Sequence, residues 1–379
     1  MKNILFHINS IGRGGAERVA SIILNHMAEE GYRITLVTLW KDSDEYEIDS
    51  RINRINLAGD TVGEGTPKGL ASRVLTAFSR IFNLRKVIRS VNPDIVISFL
   101  YKANLRSALA LAGKDIPLLI SVRNDPAIDY VPHKYGKQFL EKAATACVFQ
   151  TKDATEYFGK KLVNNSRIIF NPINEKFLVS PFKHSVKAEA SDDFPYKLLA
   201  IGRLSPQKNH ILAIEALGMI REEFPNTCLN IYGVETDSGE IPEVNEKIKE
   251  CCLEGRVNLM GLSDRIDEIM ADSDIFVLSS NYEGMPNALM EAMVTGLPCV
   301  STDCPCGGPA MLIENGVSGV LTEVNNAEQM ADAIRKLLRN PQLRTEISNN
   351  SRSIAEKVDP KNICQQWTKF VDEVIEMKR

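Results

Sequence analysis

Two acidic side chains, Glu283 and Glu291, have the type and spacing to bind the hydroxyl groups of a sugar. Glu283 falls in a turn-forming segment after an apolar run, and Glu291 falls eight positions later among good helix formers. Eight residues are about two helical turns, so both carboxylates can face one ligand. A carboxylate beside a phosphate is electrostatically unfavourable, which makes hydroxyl groups the better partners. Taken alone, the pattern is more often an ordinary Glu-rich helix start.

Two basic side chains, Arg203 and Lys208, lie in the segment that follows an apolar run at residues 198–201. A guanidinium fork and an ammonium point charge in one loop can neutralise a diphosphate together. Solvated surface charges explain this loop equally well.

Two glycine-rich segments could bring backbone N–H groups to a phosphate or a sugar. Gly14 and Gly15 precede one helical pattern, and Gly307 and Gly308 precede another. Glycine permits φ > 0 and a close approach of ligand to backbone. The first segment is not a dinucleotide-binding motif, because Glu17 stands where the third glycine belongs, and no Gly-Lys-Ser/Thr follows for a P-loop. Tight turns without a ligand explain both segments nearly as well.

Parallel α/β sheets must position these side chains, because apolar runs alternate with helical patterns along the chain. Ligands bind such sheets at the carboxyl ends of the strands, where the segments above lie. The pattern predicts two doubly wound α/β domains that face each other across a ligand cleft. The predicted strands are residues 4–8, 34–39, 95–99, 118–122, 146–149 and 168–170 in the first half, and 198–201, 229–232, 257–260, 275–278, 299–301 and 319–322 in the second.

The boundary between the predicted domains lies at residues 177–196, where the alternation gives way to mixed polar residues, proline and serine. We therefore expect a first domain at 1–180 and a second at 196–359. Residues 360–379 form a helical pattern with one apolar stripe, and we expect this helix to pack back on the first domain.

Composition and charge exclude several classes of protein. The 379 residues carry a net charge of −4, so nucleic-acid binding is not indicated. No segment reaches the roughly 18 uninterrupted apolar residues of a membrane span, and the amino-terminal apolar run is too short for a signal peptide. The eight cysteines lack zinc-ligand or C-x-x-C spacing, so we interpret them as reduced thiols of a cytosolic protein.

A basic amphipathic helix is predicted at residues 72–91. Such a helix can rest on an anionic membrane surface, which would give a weak, salt-sensitive contact. The commoner explanation is a helix that covers a sheet and has a solvated basic face. Its basic residues are Arg73, Arg80, Arg85, Lys86 and Arg89.

An ordered set of motifs resembles the family-four retaining glycosyltransferases of GT-B fold. The motifs are Gly-Arg-Leu-x-x-x-Lys at 202–208, Glu-Gly-Met-Pro-Asn-x-x-x-Glu-Ala at 283–292, Gly-Leu-Pro at 296–298, Gly-Gly-Pro at 307–309 and Gly-Gly-Ala-Glu-Arg at 14–18. The resemblance spans nearly the whole chain, and the set is far more specific than any one member.

The resemblance implies a retaining hexosyltransferase that needs no metal and no other cofactor. It would move a hexose or N-acetylhexosamine from a nucleotide-diphosphate sugar, with UDP the commonest nucleotide in the family, to a lipid-linked or cell-surface glycan. Lipopolysaccharide, capsule or other polysaccharide biosynthesis is the expected setting. The expected location is the cytoplasm, with peripheral contact at the inner face of the membrane.

The resemblance also implies roles for single residues. Arg203 and Lys208 would hold the diphosphate and stabilise the leaving nucleotide, since fixed cations lower the barrier to breaking that bond. Glu283 would position the donor sugar, because in a front-face reaction the leaving phosphate itself can take the acceptor proton. Glu291 would bind the ribose. The whole implied donor-binding set is Gly14, Gly15, Arg203, Lys208, Gly261, Leu262, Glu283, Gly284, Met285, Asn287, Ala288 and Glu291.

One position departs from the family pattern. Many relatives carry a histidine after the fourth strand of the first half, near the donor sugar, and here Arg123 stands there. An arginine cannot shuttle a proton at neutral pH, but it can bind a phosphate or a sugar hydroxyl of either substrate.

Two other functions remain open from the sequence. A nucleotide-sugar epimerase of the same fold would interconvert the donor without an acceptor. A two-lobed sugar-binding protein without catalysis would bind free sugar and no UDP, but such proteins are usually exported, and we expect no signal peptide here.

Overall fold

The computed structural model describes residues 1–59, 63, 69–179, 196–235 and 239–378. The chain forms two compact units. Unit 1 contains Met1–Pro172 together with Pro360–Arg379, and unit 2 contains Ile173–Asp359. Most of the predicted linker, residues 180–195, lies outside the described residues.

Unit 1 is built on a seven-stranded parallel sheet. Its strands are β1 (Asn3–His7), β2 (Arg33–Thr38), β3 (Asn53–Asn56), β4 (Ile95–Phe99), β5 (Leu118–Ser121), β6 (Ala146–Phe149) and β7 (Ser166–Ile168). They lie in the order β3-β2-β1-β4-β5-β6-β7, so the direction of winding reverses between β1 and β4. Open α/β sheets bind ligands outside the carboxyl ends of the strands at such a reversal.

Helices cover the sheet of unit 1. They are α1 (Gly15–Glu29), α2 (Leu70–Val91), α3 (Tyr101–Leu111), α4 (Pro126–Asp129), α5 (Lys134–Ala143), α6 (Lys152–Glu156) and α7 (Lys160–Asn164). The central strands are apolar on both faces because helices cover both faces of the sheet; Ile4, Leu5 and Phe6 of β1 are fully buried.

The carboxyl-terminal helix belongs to unit 1 although it follows unit 2 in the chain. This helix, Pro360–Glu376, packs against α1. Its Trp367 is fully buried, with its ring centroid 5.4 Å from that of Phe99 in β4. The apolar stripe of the helix therefore completes the core of the first sheet.

Unit 2 is built on a six-stranded parallel sheet. Its strands are β8 (Tyr196–Ile201), β9 (Thr227–Tyr232), β10 (Val257–Gly261), β11 (Ile275–Leu278), β12 (Cys299–Thr302) and β13 (Val320–Thr322). They lie in the order β10-β9-β8-β11-β12-β13, which puts the winding reversal between β8 and β11.

The helices of unit 2 follow the same plan. They are α8 (Lys176–Val179), α9 (His210–Met219), α10 (Ile241–Glu250), α11 (Ile266–Ala271), α12 (Asn287–Thr295), α13 (Gly308–Leu312), α14 (Ala327–Arg339), α15 (Pro341–Ser351) and α16 (Ala355–Val358), with α17 (Pro360–Glu376) returning to unit 1.

The prediction of two doubly wound parallel sheets is confirmed, and every predicted apolar run is a strand within two residues of its expected ends. The strand β3 was not predicted; its residues are Asn-Arg-Ile-Asn, and none of them is fully buried. An edge strand packs on one side only, so it needs no continuous apolar run.

Three further observations concern the composition. All eight cysteines are free. Among the described residues, no helix combines the length and apolarity that crossing a bilayer requires. The same part of the chain holds no group of three or more His, Cys, Asp and Glu side chains placed to bind a metal ion.

Candidate active site

Three loops at the carboxyl edge of unit 2 are joined by hydrogen bonds. They follow β8, β11 and β12, which are neighbours in the sheet and flank its winding reversal. Asn281 N–H donates to the Gln207 carbonyl at 2.8 Å, and the Ser279 hydroxyl donates to the Lys208 carbonyl at 3.1 Å. The Thr302 hydroxyl donates to the Ser280 carbonyl at 2.6 Å. The loops therefore form one rigid platform.

The backbone of Glu283 is fixed by the third loop. Its N–H donates to the Pro305 carbonyl at 2.5 Å, and its own carbonyl accepts from Cys306 N–H at 2.9 Å. The residue is 5% exposed. The Ser280 hydroxyl donates to Glu283 Oε1 at 2.7 Å. Both the backbone and the carboxylate are thus held in one position before any ligand arrives.

Lys208 and Glu283 form an ion pair, with 2.6 Å between Nζ and Oε1. Their side chains are 17% and 7% exposed, so the pair is largely removed from water. A buried carboxylate is stable only beside a cation or several donors, and Lys208 supplies the cation. The ammonium has three N–H groups, so one bond to Glu283 leaves two for a ligand.

Arg203 lies in the same loop as Lys208 and is exposed. Within the described part of the chain, its guanidinium forms no ion pair, in contrast to Lys208. The loop therefore presents one cation that is held in place by a carboxylate and one that reaches into solvent.

A thiol lies beside the Glu283 carboxylate. Burial, with a smaller contribution from the negative charge of Glu283, raises the pKa of the Cys304 thiol to about 12. The thiol stays protonated at neutral pH, so Cys304 contributes packing and no nucleophile to this site.

His210, the first residue of α9, anchors the loop that carries both cations. Its Nε2 donates to the Gly202 carbonyl at 3.2 Å. Burial lowers the pKa of the ring to about 4, so the ring is neutral at pH 7 and Nε2 must carry the proton for this bond. The sequence analysis missed His210, because a single histidine near a helix start gives no signal of its partner.

Two glycines let this loop pack tightly. A Cβ on Gly202 would lie 2.9 Å from Lys208 Cδ, so the bare backbone makes room for the lysine stem. A Cβ on Gly233, which follows β9, would lie 1.9 Å from the Gly202 carbonyl oxygen. Gly233 N–H in turn donates to the Gly261 carbonyl at 2.9 Å. Gly261 is therefore linked through Gly233 to the loop of Lys208.

The glycine pair in the third loop has a packing role. Gly307 has φ +78°, a conformation that favours glycine. A Cβ on Gly308 would lie 1.8 Å from the Gly284 carbonyl oxygen, next to Glu283 in the chain. The backbone conformation thus explains Gly307, and the close contact between the second and third loops explains Gly308.

Glu291 is buried in α12 and only 2% exposed. The helix begins at Asn287, and Pro286 is its N-cap residue with an extended ψ of 105°. The expectation that about two helical turns separate Glu283 from Glu291 is therefore wrong. The chain from 283 to 286 is not helical, so the helical pitch does not fix the distance between the carboxylates.

The remaining residues of the implied donor set occupy different environments. Gly284 and Met285 are buried, whereas Asn287 and Ala288 are half-buried at the start of α12. Leu262 is 65% exposed just after β10, an edge strand of the sheet.

In unit 1, the amino-terminal glycines do not adopt the conformation expected of them. Gly14 is the N-cap of α1 with φ −101°, and neither Gly14 nor Gly15 has a positive φ. A Cβ on Gly14 would lie 1.9 Å from Glu17 Oε2. The atoms nearest to this Cβ belong to the flexible end of the Glu17 side chain, which can move aside, so neither φ nor packing makes glycine necessary at this position.

Arg123 lies just beyond the carboxyl end of β5 and is 8% exposed. Its Nη2 donates to Asn171 Oδ1, which also accepts from Gln150 Nε2 at 2.7 Å. The guanidinium lies over the ring of Phe99, 4.8 Å from its centroid. Gln150 and Asn171 are functional candidates that the sequence analysis missed, since only the parallel sheet brings their segments together.

Two doubly wound units in series, with a cationic loop at the winding reversal of the second, place the chain among GT-B-type proteins. Residues 13–177 match the family model for glycosyltransferase family 4, and residues 182–354 match the model for glycosyl transferases group 1. The two matches together span most of the chain. It belongs to the glycosyltransferases that combine these two domains.

Known proteins support that assignment. An uncharacterised glycosyltransferase of Haemophilus influenzae is 26% identical over 97% of this chain and 99% of its own length. A Campylobacter jejuni α-1,4-N-acetyl-D-galactosaminyltransferase, named for a glycan on diphospho-undecaprenol, is 22% identical over 99% of each chain. The crystal structure of Anabaena HepE with UDP and glucose has a TM-score of 0.78 at 19% identity, covering 98% of this chain and 100% of that one.

The close contact at Gly308 gives a first testable prediction. Gly308→Ala places a methyl group against the Gly284 carbonyl and must separate the second and third loops. We expect a loss of about 1–3 kcal/mol in the free energy of unfolding, measured in urea. Gly159→Ala is the matched control, because the nearest atom to its new Cβ lies at 3.9 Å. Equal stability of the two variants would contradict this packing role.

The buried ring of His210 gives a second prediction, which concerns how the free energy of unfolding depends on pH. The unfolded chain binds a proton here near pH 6.5, and the folded chain binds it only near pH 4. The stability that the neutral ring provides is complete above pH 6.5 and is lost as the pH falls toward 4. The His210 contribution should fall by about 2 kcal/mol between pH 7 and pH 5 in urea unfolding.

The comparison that isolates His210 uses His210→Gln, whose amide can still donate to the Gly202 carbonyl. This variant should lose less stability on acidification than the wild type. His133→Gln, at an exposed ring, should behave like the wild type. If all three proteins lose the same stability between pH 7 and pH 5, the buried neutral ring is not the cause.

Proposed function

We propose that this protein is a retaining glycosyltransferase that moves a hexose or N-acetylhexosamine from a UDP-sugar to a lipid-linked or cell-surface glycan. The observation that carries the proposal is the buried Lys208–Glu283 pair beside the exposed Arg203 at the winding reversal of unit 2. Cations suit a diphosphate, and a fixed carboxylate suits sugar hydroxyls.

Two known proteins support the donor and the acceptor named in this proposal. HepE, the structural neighbour, was solved with UDP and glucose, which supports a UDP-sugar as the donor. The Campylobacter relative is named for a diphospho-undecaprenol-linked glycan, which supports a lipid-linked acceptor. Polysaccharide, lipopolysaccharide or capsule assembly is the class of pathway that uses such acceptors.

In the proposed reaction, the bond between the anomeric carbon and the diphosphate breaks, and its electron pair goes to the phosphate oxygen. Arg203 and the two remaining N–H groups of Lys208 stabilise the charge that develops there. The acceptor oxygen bonds to the same face of the anomeric carbon, and its proton passes to the leaving phosphate. The anomeric configuration is retained, and the fixed side-chain cations take the place of a metal ion.

Glu283 positions the donor sugar in this scheme. Its Oε1 already accepts from Lys208 and Ser280, and its backbone is held on both sides. A carboxylate so constrained is suited to orienting hydroxyls. We assign Glu291 to the ribose hydroxyls, and Gly261 and Leu262 to the base. We assign further donor contacts to Gly284 and Met285, which precede α12, and to Asn287 and Ala288 in its first turn. The donor contact of Gly14 and Gly15 stays a prediction.

Radiolabel transfer from a panel of UDP-sugars to extracted lipid-linked glycans tests these assignments. We expect Lys208→Ala and Glu283→Ala each to lower turnover by about a hundredfold or more, the usual cost of removing a group that stabilises or orients a transition state. Lys336→Ala, at an exposed lysine on α14, is the matched control and should keep wild-type turnover.

Two results would contradict the proposal. Wild-type turnover in either the Lys208→Ala or the Glu283→Ala variant would show that the assigned roles are wrong. Conversion of the donor sugar without an acceptor, seen by proton NMR, would instead indicate the epimerase.

A surface on α2 supports the peripheral membrane contact that we also propose. Leu75, Phe78 and Phe82 are 70%, 68% and 55% exposed, an unusual density of apolar side chains on one helix. Lys86 lies over the ring of Phe82, 4.6 Å from its centroid. Apolar groups flanked by cations fit the surface of an anionic membrane.

Arg85, one of the predicted basic residues of α2, forms hydrogen bonds within the protein. Arg85 Nη1 donates to the carbonyls of Ala110 and Ala112, at 3.0 and 2.8 Å. It therefore fastens α2 to the end of α3. Leu84 and Ile88 are buried, so this half of α2 packs into unit 1, where the helix contacts α3, while the preceding half exposes the apolar residues.

Pelleting with liposomes that contain anionic lipid tests this contact. We expect the double variant Arg80→Glu and Lys86→Glu, and separately Phe78→Ser, to reduce the bound fraction severalfold. Wild-type binding should weaken as salt is raised, because charge–charge attraction is screened. The control is Lys142→Glu with Lys160→Glu, two exposed lysines elsewhere on unit 1. If the α2 variants pellet with the liposomes as the wild type does, the proposed membrane contact is wrong.

A further inference from the structure

Arg123 is a buried cation whose hydrogen bonds are incomplete. The residue is 8% exposed, and only Nη2 has an acceptor, Asn171 Oδ1. Its Nε and Nη1 are buried without a hydrogen-bond partner among the described residues. A buried N–H that bonds to nothing costs free energy, and more so when it belongs to a charged group. The structure tolerates this arrangement at the edge where parallel sheets bind ligands.

Packing holds the guanidinium in place. One face lies over the ring of Phe99, and Asn171 fixes one nitrogen. Burial lowers the pKa of Arg123 to about 9, and the charge of Glu17 acts in the opposite direction, so the side chain is still a cation at neutral pH. Glu17 thus partly balances the charge, but it does not satisfy Nε or Nη1.

A neighbouring side chain adds an acceptor to these donors. Gln150 is 3% exposed and donates through Nε2 to the same Asn171 Oδ1 at 2.7 Å. Its Oε1 is buried with no donor on it among the described residues. Two guanidinium nitrogens without an acceptor and one amide oxygen without a donor therefore belong to side chains that share Asn171, which suits an anion attached to a group that carries a hydroxyl.

We infer that Arg123, with Gln150 and Asn171, forms a subsite for a phosphate group of one of the two substrates. Separate oxygens of one phosphate can accept from different guanidinium nitrogens, and they also carry the opposite charge, which a neutral sugar hydroxyl does not. A hydroxyl of the attached sugar would donate to Gln150 Oε1. The inference rests on the proposed function, since both the UDP-sugar and a diphosphate-linked acceptor carry this chemistry.

Calorimetry with two probes identifies which substrate supplies the phosphate. UDP represents the donor, and farnesyl diphosphate represents a short lipid-linked acceptor. We expect Arg123→Gln to weaken binding of one probe by about tenfold to a hundredfold, the usual effect of losing a charge-assisted hydrogen bond. Arg123→Lys, which keeps the charge without the planar fork, should bind that probe with intermediate affinity. Arg33→Gln, at an exposed arginine of the same unit, is the matched control.

The outcomes separate this inference from the proposed function. Loss of UDP affinity assigns the subsite to the donor, and loss of farnesyl diphosphate affinity assigns it to the acceptor. If the wild type binds UDP and neither probe responds to Arg123→Gln, the subsite is refuted while the proposed function stands. If the wild type binds neither probe, both fail. Thermal unfolding of each variant shows that the comparison is made between folded proteins.

Discussion

The buried ion pair between Lys208 and Glu283 is the interaction on which the second unit depends. A carboxylate that is 5% exposed must keep its cation, because removing one partner of a buried pair typically costs about 3–5 kcal/mol. The pair joins the loops after β8 and β11, on the two sides of the winding reversal. The geometry of the pair therefore fixes how these two loops meet. The third loop forms backbone hydrogen bonds to Glu283 through Pro305 and Cys306.

Backbone contacts between the loops explain much of the glycine pattern. Gly233 and Gly308 each lie where a methyl group would collide with the backbone carbonyl of a neighbouring loop, and a methyl group on Gly202 would crowd the Lys208 stem. The bare backbone is needed there for protein packing, whether or not a ligand also approaches it. Motifs that resemble ligand-binding loops in the sequence thus owe part of their residue choice to the contacts that make the platform rigid. Rigidity in turn is what an active site built on fixed charges requires.

The buried charges of the two candidate sites, Lys208 with Glu283 in unit 2 and Arg123 in unit 1, have different partners. In the platform of unit 2, Lys208 and Glu283 neutralise each other, and the exposed Arg203 supplies additional positive charge. In unit 1 the buried Arg123 has only a nearby carboxylate and one amide acceptor, so its donors are incomplete. Charges that are balanced internally preserve the shape of a site, whereas a buried donor without an acceptor favours a ligand that supplies one. Both arrangements lie at the carboxyl edge of a parallel sheet, where the strands end and side chains are not needed for the core.

The two sheets could be predicted from residue order, because a strand buried on both faces must be an apolar run, and that property is local. Most candidate residues could likewise be placed near strand ends, but the polar edge strand β3 gave no such signal. Which side chains meet depends on the folded chain: Lys208 and Glu283 are 75 positions apart, and Arg123 and Asn171 are 48 apart. The non-helical segment between Glu283 and α12 and the conformation of Gly14 also became visible only in the folded chain. Contacts between distant segments depend on the order of the strands and on the packing of the loops. Neither can be predicted from a local pattern of residues.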